Sequence, residues 1–132
     1  MTFQETIQNA YTFSGEHFLF GIAMQDGKTH SDAKVNIPLK TLNRHGLIAG
    51  ATGTGKTKTL QFLAESLSNA SVPVFMIDIK GDLSGIGAAG VVNERIIERC
   101  KLIGIDYKPR AYPIEFLTLS EEPGTRLRAT VS

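Results

Sequence analysis

The period of the hydrophobic positions changes along the chain, and each change marks a different kind of element. Leu60, Leu63, Ala64 and Leu67 fall at i, i+3, i+4 and i+7, the spacing of one apolar helix face, and predict a helix that starts near Gly55. The run after it, Val72 to Ile79, is apolar almost throughout and partly β-branched, as a parallel strand covered on both faces should be. A shorter apolar run, Leu47-Ile48-Ala49, precedes a glycine-rich loop that leads into the helix, so strand, helix and strand form one βαβ unit. Val92, Ile96, Cys100 and Ile103 predict a second helix that turns Glu94, Arg95, Glu98, Arg99 and Lys101 mostly to solvent. A third strand is expected at Ile114 to Leu119.

The first 45 residues have a different character. Two stretches of strand-like composition, TFSGEHFLFGIAM and KVNIPLKTL, flank the polar, turn-prone QDGKTHSD. Within it Asp26-Gly27 is a hairpin signal, but the arms alternate imperfectly, so the expectation is two or three strands of unfixed register. The fold class read from this order is α/β: a parallel sheet with flanking helices over 46–132, incomplete, preceded by a small N-terminal β element at 1–45. The closing RLRATVS reads as the start of another element, with the natural protein continuing beyond Ser132.

Composition narrows the classes. A chain of 132 residues with 42% hydrophobic and 20% charged residues and 13 glycines is an ordinary globular sequence with room for one core. A formal net charge of +1 gives no overall field that selects nucleic acid or anionic membrane. The single Cys100 excludes an internal disulfide and reads as a small buried apolar side chain. No apolar run reaches the ~18 residues that span a bilayer, and the N-terminus lacks a basic start followed by a long apolar stretch. The expectation is a cytoplasmic protein with no membrane partner.

The chemistry concentrates in Gly50-Ala51-Thr52-Gly53-Thr54-Gly55-Lys56-Thr57, which fits Gly-x-x-x-x-Gly-Lys-Ser/Thr at every fixed position between an apolar run and an amphipathic helix. Glycines let the backbone close around phosphate oxygens with successive N–H groups pointing inward, and the positive end of the helix adds attraction. Lys56 supplies a point charge for the β- and γ-phosphates and is the candidate catalytic residue of the loop. The Thr57 hydroxyl is a hard oxygen ligand suited to Mg2+. The expected nucleotide-binding set is therefore Gly50 to Thr57 together with Lys58, with ATP and Mg2+ as cofactors, which makes the sheet P-loop NTPase-type and 46–132 the first part of a P-loop ATPase domain.

HGLIAGATGTGKTKTLQ followed by VPVFMIDIKGDLSGIG resembles the HerA/FtsK superfamily of ring-forming, nucleic-acid-pumping ATPases, and especially its bacterial HerA-like helicase branch. The resemblance runs from about Val35 to Ser132, and YPIEFLTL and RLRATVS share in it. Proteins resembling it run to several hundred residues, with a later strand ending in an acidic pair that holds metal and activates water, and with arginines that complete the site. The resemblance thus implies the N-terminal portion of such a domain, a homo-oligomeric ring, possibly a hexamer, and DNA as partner.

Asp78 ends an apolar run and carries three competing readings. In the family reading Asp78 and Lys80 belong to a strand-end motif near the nucleotide pocket; in a kinase-like or GTPase-like reading Asp78 holds the water shell of Mg2+ and is catalytic; in the third it only turns the chain, since Asp-x-x-Gly-Asp is also turn chemistry. Other candidates carry less. Arg44 and His45 precede the apolar run and read as solvated, or as contacts to a base or a neighbouring subunit. His17 and His30 lack partners at metal-ligand spacing. SGIGAAG at 84–90 reads as flexible loop. The function expected is the ATP-binding portion of a DNA-translocating ATPase or helicase, near-inactive on its own. The alternatives are a P-loop kinase or phosphotransferase and a nucleotide-binding module without turnover.

Overall fold

The computed structural model describes residues 1–128. It is a small α/β structure with three α-helices and two short sheets, one antiparallel and one parallel. The N-terminus opens on a helix that hydrophobic period does not announce, α1 at Phe3–Tyr11. A reciprocal capping box starts it: the Thr2 amide donates to the Glu5 carboxylate at 2.7 Å, and the Glu5 amide donates to Thr2 Oγ1 at 3.2 Å. Thr-x-x-Glu was legible in the sequence, and the reading of 1–45 as β alone missed it.

The hairpin follows. Strand β1 at His17–Gln25 pairs antiparallel with β2 at Lys28–Pro38, and Asp26 (φ 51°) and Gly27 (φ 74°) make the two-residue turn with both residues left-handed. Because this turn pairs Gln25 directly with Lys28, the polar residues 28–32, expected as loop, are strand. The expected strand at 34–42 accordingly ends at Pro38, and Leu39–Thr41 is a short 3-10 turn. Register shifts between Leu19 and Gly21 and between Ile22 and Met24 account for the imperfect alternation. Helix α1 runs along β2: Gln4 Nε2 lies 2.9 Å from His30 Nδ1, Gln8 donates to the Asp32 carbonyl at 3.2 Å, and Asn36 donates to the Tyr11 carbonyl at 3.0 Å. Ala33, fully buried, sits in β2.

The expected helix after the glycine-rich loop is α2, Lys56–Asn69. Its most buried residues are Gln61, Ala64 and Ser66, whereas Leu60 is 40% exposed, so the face that packs is rotated from the apolar stripe. Phe62 lies outside that stripe and meets the hairpin, its ring 6.2 Å from Phe18 and 6.1 Å from Phe20. At the far end Asn69 donates to the Tyr112 hydroxyl (3.1 Å) and accepts from Arg110 (2.8 Å), whose guanidinium lies 4.7 Å from the Tyr112 ring centre.

The second expected helix is α3, Glu94–Ile103, with Ile96, Cys100 and Ile103 on its partly covered side. Asn93 caps its start by accepting from the Ile96 amide at 3.0 Å, and Gly104 (φ 72°) ends it.

The expected parallel sheet differs most. Leu47–Ala49 and Val72–Ile79 carry no strand pairing among the described residues, and of Ile114–Leu119 only Leu117–Thr118 (β3) pairs, in parallel with Thr125–Arg126 (β4). Apolar composition identifies a segment that gains by being covered but not what covers it, and a parallel pair depends on a non-local neighbour. Leu47, Phe75, Ile77 and Ile79 are consequently between 73% and 94% exposed. Arg126 and Leu127 of the closing RLRATVS are seen, Leu127 donating to the Thr118 carbonyl at 2.8 Å; residues from 129 onward lie outside the described residues. No helix among the described residues is long and apolar enough to cross a membrane.

The aromatic contact makes the hairpin and α2 interdependent. Phe62→Ala is expected to cost about 2 kcal/mol, below the range for a fully buried phenylalanine because the residue is 37% exposed. Urea denaturation measures it, and a loss under about 0.5 kcal/mol, the scale of an ordinary surface change, overturns the packing.

Candidate functional site

The glycine-rich loop takes the backbone conformations its glycines permit. Gly53 (φ 81°) and Gly55 (φ 95°) are left-handed, and Gly55 is the residue from which α2 starts. Gly50 is required for a different reason: a Cβ there would come within 2.6 Å of Thr54 Oγ1. That hydroxyl is fixed, because it donates to the Ala51 carbonyl at 2.7 Å, alongside the Thr54 amide at 3.4 Å. Lys56 folds back over the loop and donates to the same carbonyl at 2.7 Å. One carbonyl therefore collects a backbone amide, a hydroxyl and an ammonium, and holds the loop as a compact turn at the positive end of a 14-residue helix.

The two lysines flanking Thr57 point differently. Lys56 turns into the loop, whereas Lys58 turns along the helix and donates to Gln61 Oε1 at 2.8 Å. Gln61 is 6% exposed, and its Nε2 donates to the Asp82 carbonyl at 2.9 Å. The turn after the run at Val72–Ile79 is thereby attached to the first two turns of α2. Thr57, which is exposed, and Gln61 stand four residues apart, so they share a helix face with Cβ atoms about 5–6 Å apart.

Asp78 is the centre of that turn. Its Oδ1 accepts from the amides of Gly81 (2.8 Å) and Lys80 (3.2 Å), and its Oδ2 from the amide of Leu83 (2.8 Å). The Leu83 N–H does most to hold the carboxyl below the ordinary carboxylate value, against a desolvation that works upward, with the N–H groups of Gly81, Lys80 and Asp82 adding to it. Gly81 (φ 79°) gives the turn its left-handed step, and Ser84 extends it by donating to the Gly81 carbonyl at 3.0 Å. Of the three readings of Asp78, chain turning is thus directly visible.

Glu65, one turn beyond Gln61, did not stand out in the sequence. Burial pushes its carboxyl up, and the charge of Lys58 pulls it partly back. The sequence signal is the four-residue spacing of Thr57, Gln61 and Glu65 along one helix face, hidden because polar positions on an amphipathic helix ordinarily face solvent.

The remaining candidates stay apart from this cluster. Arg44 and His45 are exposed. His30 is engaged by Gln4 and lies against the Phe3 ring (5.4 Å between centres), and His17 Nδ1 is 2.7 Å from the Gly15 carbonyl. No group of His, Cys, Asp or Glu among the described residues could hold a metal by itself. Residues 84–87 of the expected flexible loop form a 3-10 turn whose Ile86 is buried, and the Ile86 carbonyl accepts from the Tyr112 amide at 3.1 Å.

The family model described as Helicase HerA-like C-terminal matches residues 23–132, most of the chain and all of the cluster just described. The chain belongs to this HerA-like helicase family. The match begins inside β1 of the hairpin, upstream of the stretch that carries the sequence resemblance. Among curated proteins and among solved structures, nothing matches this HerA-like chain.

Asp78 and Glu65 pull acid stability in opposite directions. Asp78 has a depressed folded value, so its contribution is present above the unfolded carboxylate range and is lost as pH falls through the folded value. Glu65 has a raised folded value, so its contribution is present below the unfolded value and is lost as pH rises through the folded one. An NMR titration should show the Gly81 and Leu83 amide protons shifting with a midpoint below the ordinary aspartate value, and the Glu65 carboxyl with one above the ordinary glutamate value. Amide protons insensitive to pH throughout the acid range would show that the carboxylate does not hold the turn.

Proposed function

We propose that this HerA-like chain binds ATP with Mg2+ at Gly50–Thr57 and that it serves a DNA-translocating ATPase, or helicase, whose subunits assemble as a ring. The observation that carries the reading is the loop: glycines required by clash at Gly50 and by φ at Gly53 and Gly55, a lysine ammonium folded over it, and a helix N-terminus behind it. In a phosphate-bound state the Lys56 ammonium exchanges a neutral carbonyl for phosphate oxygens, a stronger charge-assisted partner. The amides of the loop would face the remaining oxygens, with the backbone of Thr52, Thr54 and Lys58 in the same wrap, while the Lys58 ammonium stays with Gln61.

Magnesium fits the chemistry of the Thr57 hydroxyl, a hard oxygen ligand suited to an ion that keeps most of its waters. Bound there, it would neutralise charge on the phosphate oxygens; Thr57 would hold it, and Asp78 belongs to a turn tied to α2 through Gln61, four residues after Thr57. The finer fold reading belongs to this proposal too, with Leu47–Ala49 entering the loop and α2 leaving it in P-loop order. DNA, the ring and the cytoplasm rest on membership of a helicase family and on resemblance within it.

ATP with Mg2+ should stabilise the folded chain by about 2.7 kcal/mol at one hundred times Kd, and Lys56→Ala should remove most of that gain in a thermal-shift series. Thr57→Ala should weaken binding in Mg2+ far more than in EDTA, because the backbone amides still hold the phosphates. Equal losses in both conditions would remove Thr57 from the metal, and a wild-type chain unmoved by millimolar nucleotide would sink the binding site. Phosphate release with and without DNA separates the motor from its rivals: stimulation by DNA supports it, whereas ADP formation that needs a small-molecule acceptor points to a kinase.

A further inference from the structure

We infer that Gln61 is a positioning residue: it holds the Asp78–Leu83 turn on the Thr57 face of α2 and thereby sets how strongly magnesium tightens nucleotide binding. The inference rests on the nucleotide-binding reading above and extends it to a residue that neither the phosphate-loop pattern nor the turn pattern contains.

Gln61 is a polar side chain 94% removed from solvent in a chain with few buried residues, and such a group is retained only where its hydrogen bonds are made. Both ends of its amide are used. Oε1 accepts from Lys58 Nζ at 2.8 Å, and Nε2 donates to the Asp82 carbonyl at 2.9 Å. The second bond is the informative one, because it joins two segments 21 residues apart. Asp82 lies inside the turn whose amides Asp78 gathers: Lys80, Gly81 and Leu83 all donate to that carboxylate. Fixing the Asp82 carbonyl therefore fixes the frame that orients Asp78.

The anchor point decides which side of the phosphate loop receives that frame. Gln61 follows Thr57 by four residues and stands directly below it on the helix. A turn tied to Gln61 is thus presented toward the metal side of the loop, while Lys56 closes over the Ala51 carbonyl. The first bond adds a constraint on charge: the Lys58 ammonium is held along the helix beside Gln61, so it is directed away from the loop that Lys56 covers.

Two substitutions separate the bonds. Gln61→Met removes both with little change of volume. Gln61→Glu keeps an acceptor for Lys58 but loses the donor to the Asp82 carbonyl. Asn69→Ala, which breaks the contacts to Tyr112 and Arg110 at the other end of α2, controls for general loosening. The first measurement is hydrogen exchange at the amides of Lys80, Gly81 and Leu83, expected to accelerate in both Gln61 variants and to stay at the wild-type rate in Asn69→Ala. The second is ATP affinity in Mg2+ and in EDTA. The tightening by magnesium is expected to shrink about tenfold in both Gln61 variants, the scale of one lost buried hydrogen bond, with EDTA affinity held within about twofold.

An unchanged magnesium effect in Gln61→Met, or an equal fall for Asn69→Ala, overturns the inference, as does a matching loss in EDTA, which would mark Gln61 as merely structural. Should the wild-type chain bind no ATP in either condition, the phosphate-loop reading fails on its own and exchange alone decides the placement. Unchanged protection then overturns it, and lost protection upholds it.

Discussion

Helix α2 has to satisfy neighbours on several sides at once, and the arrangement of the chain follows from how it does so. Its N-terminal end carries the glycine-rich loop, Phe62 meets the hairpin, Gln61 holds the Asp78 turn, and Asn69 holds the segment at 110–112. Few of these contacts are apolar burial. Only Ala33, Ala64 and Ile86 are buried apolar residues among those described, and no large side chain is fully enclosed. A folded monomer of 14.3 kDa is expected to expose about 6,800 Å2, whereas this chain exposes 10688 Å2. With so little area removed from water, directional contacts must fix geometry that a packed core would otherwise fix, which is why a single buried glutamine matters here.

The same balance explains which parts of the fold were legible. Local signals are legible: the Asp26-Gly27 turn and both amphipathic helices after the loop follow from interactions within a few residues. The capping box of α1 is equally local, but it lies ahead of the strand-like composition that begins at Thr12. Non-local pairing was not legible. Val72–Ile79 has the composition of a covered strand, but Phe75 and Ile77 face solvent, and nothing in an apolar run states which segment lies beside it. Family membership is visible from the run of motifs, yet the family match spans 23–132 and so takes in most of the hairpin that composition alone had set apart.

Within the site, legibility stopped one helical turn beyond the motif. The glycines of 50–57 are recognisable because they answer to constraints that the structure displays separately, clash at Gly50 and φ at Gly53 and Gly55. Gln61 and Glu65 answer to a constraint imposed by the 78–83 turn and by burial, which exist only once the chain is folded. A polar residue on a helix reads as solvated unless its partner is known, and that partner is 21 residues away.

The hydrogen bonds at Asp78 bound what its carboxylate can do. An ionised carboxylate offers about four lone-pair sites, and three are met by the amides of Gly81, Lys80 and Leu83. Oδ1 accepts two of these bonds and Oδ2 one, and the Asp82 N–H also helps to hold the carboxyl low, so little acceptor capacity is left over for a cation or for water. The depressed carboxyl points the same way: a group held ionised by surrounding amides is a poor proton acceptor and a good fixed negative charge. Turning the chain is therefore the role this geometry displays, and abstraction of a proton from water is the role it disfavours.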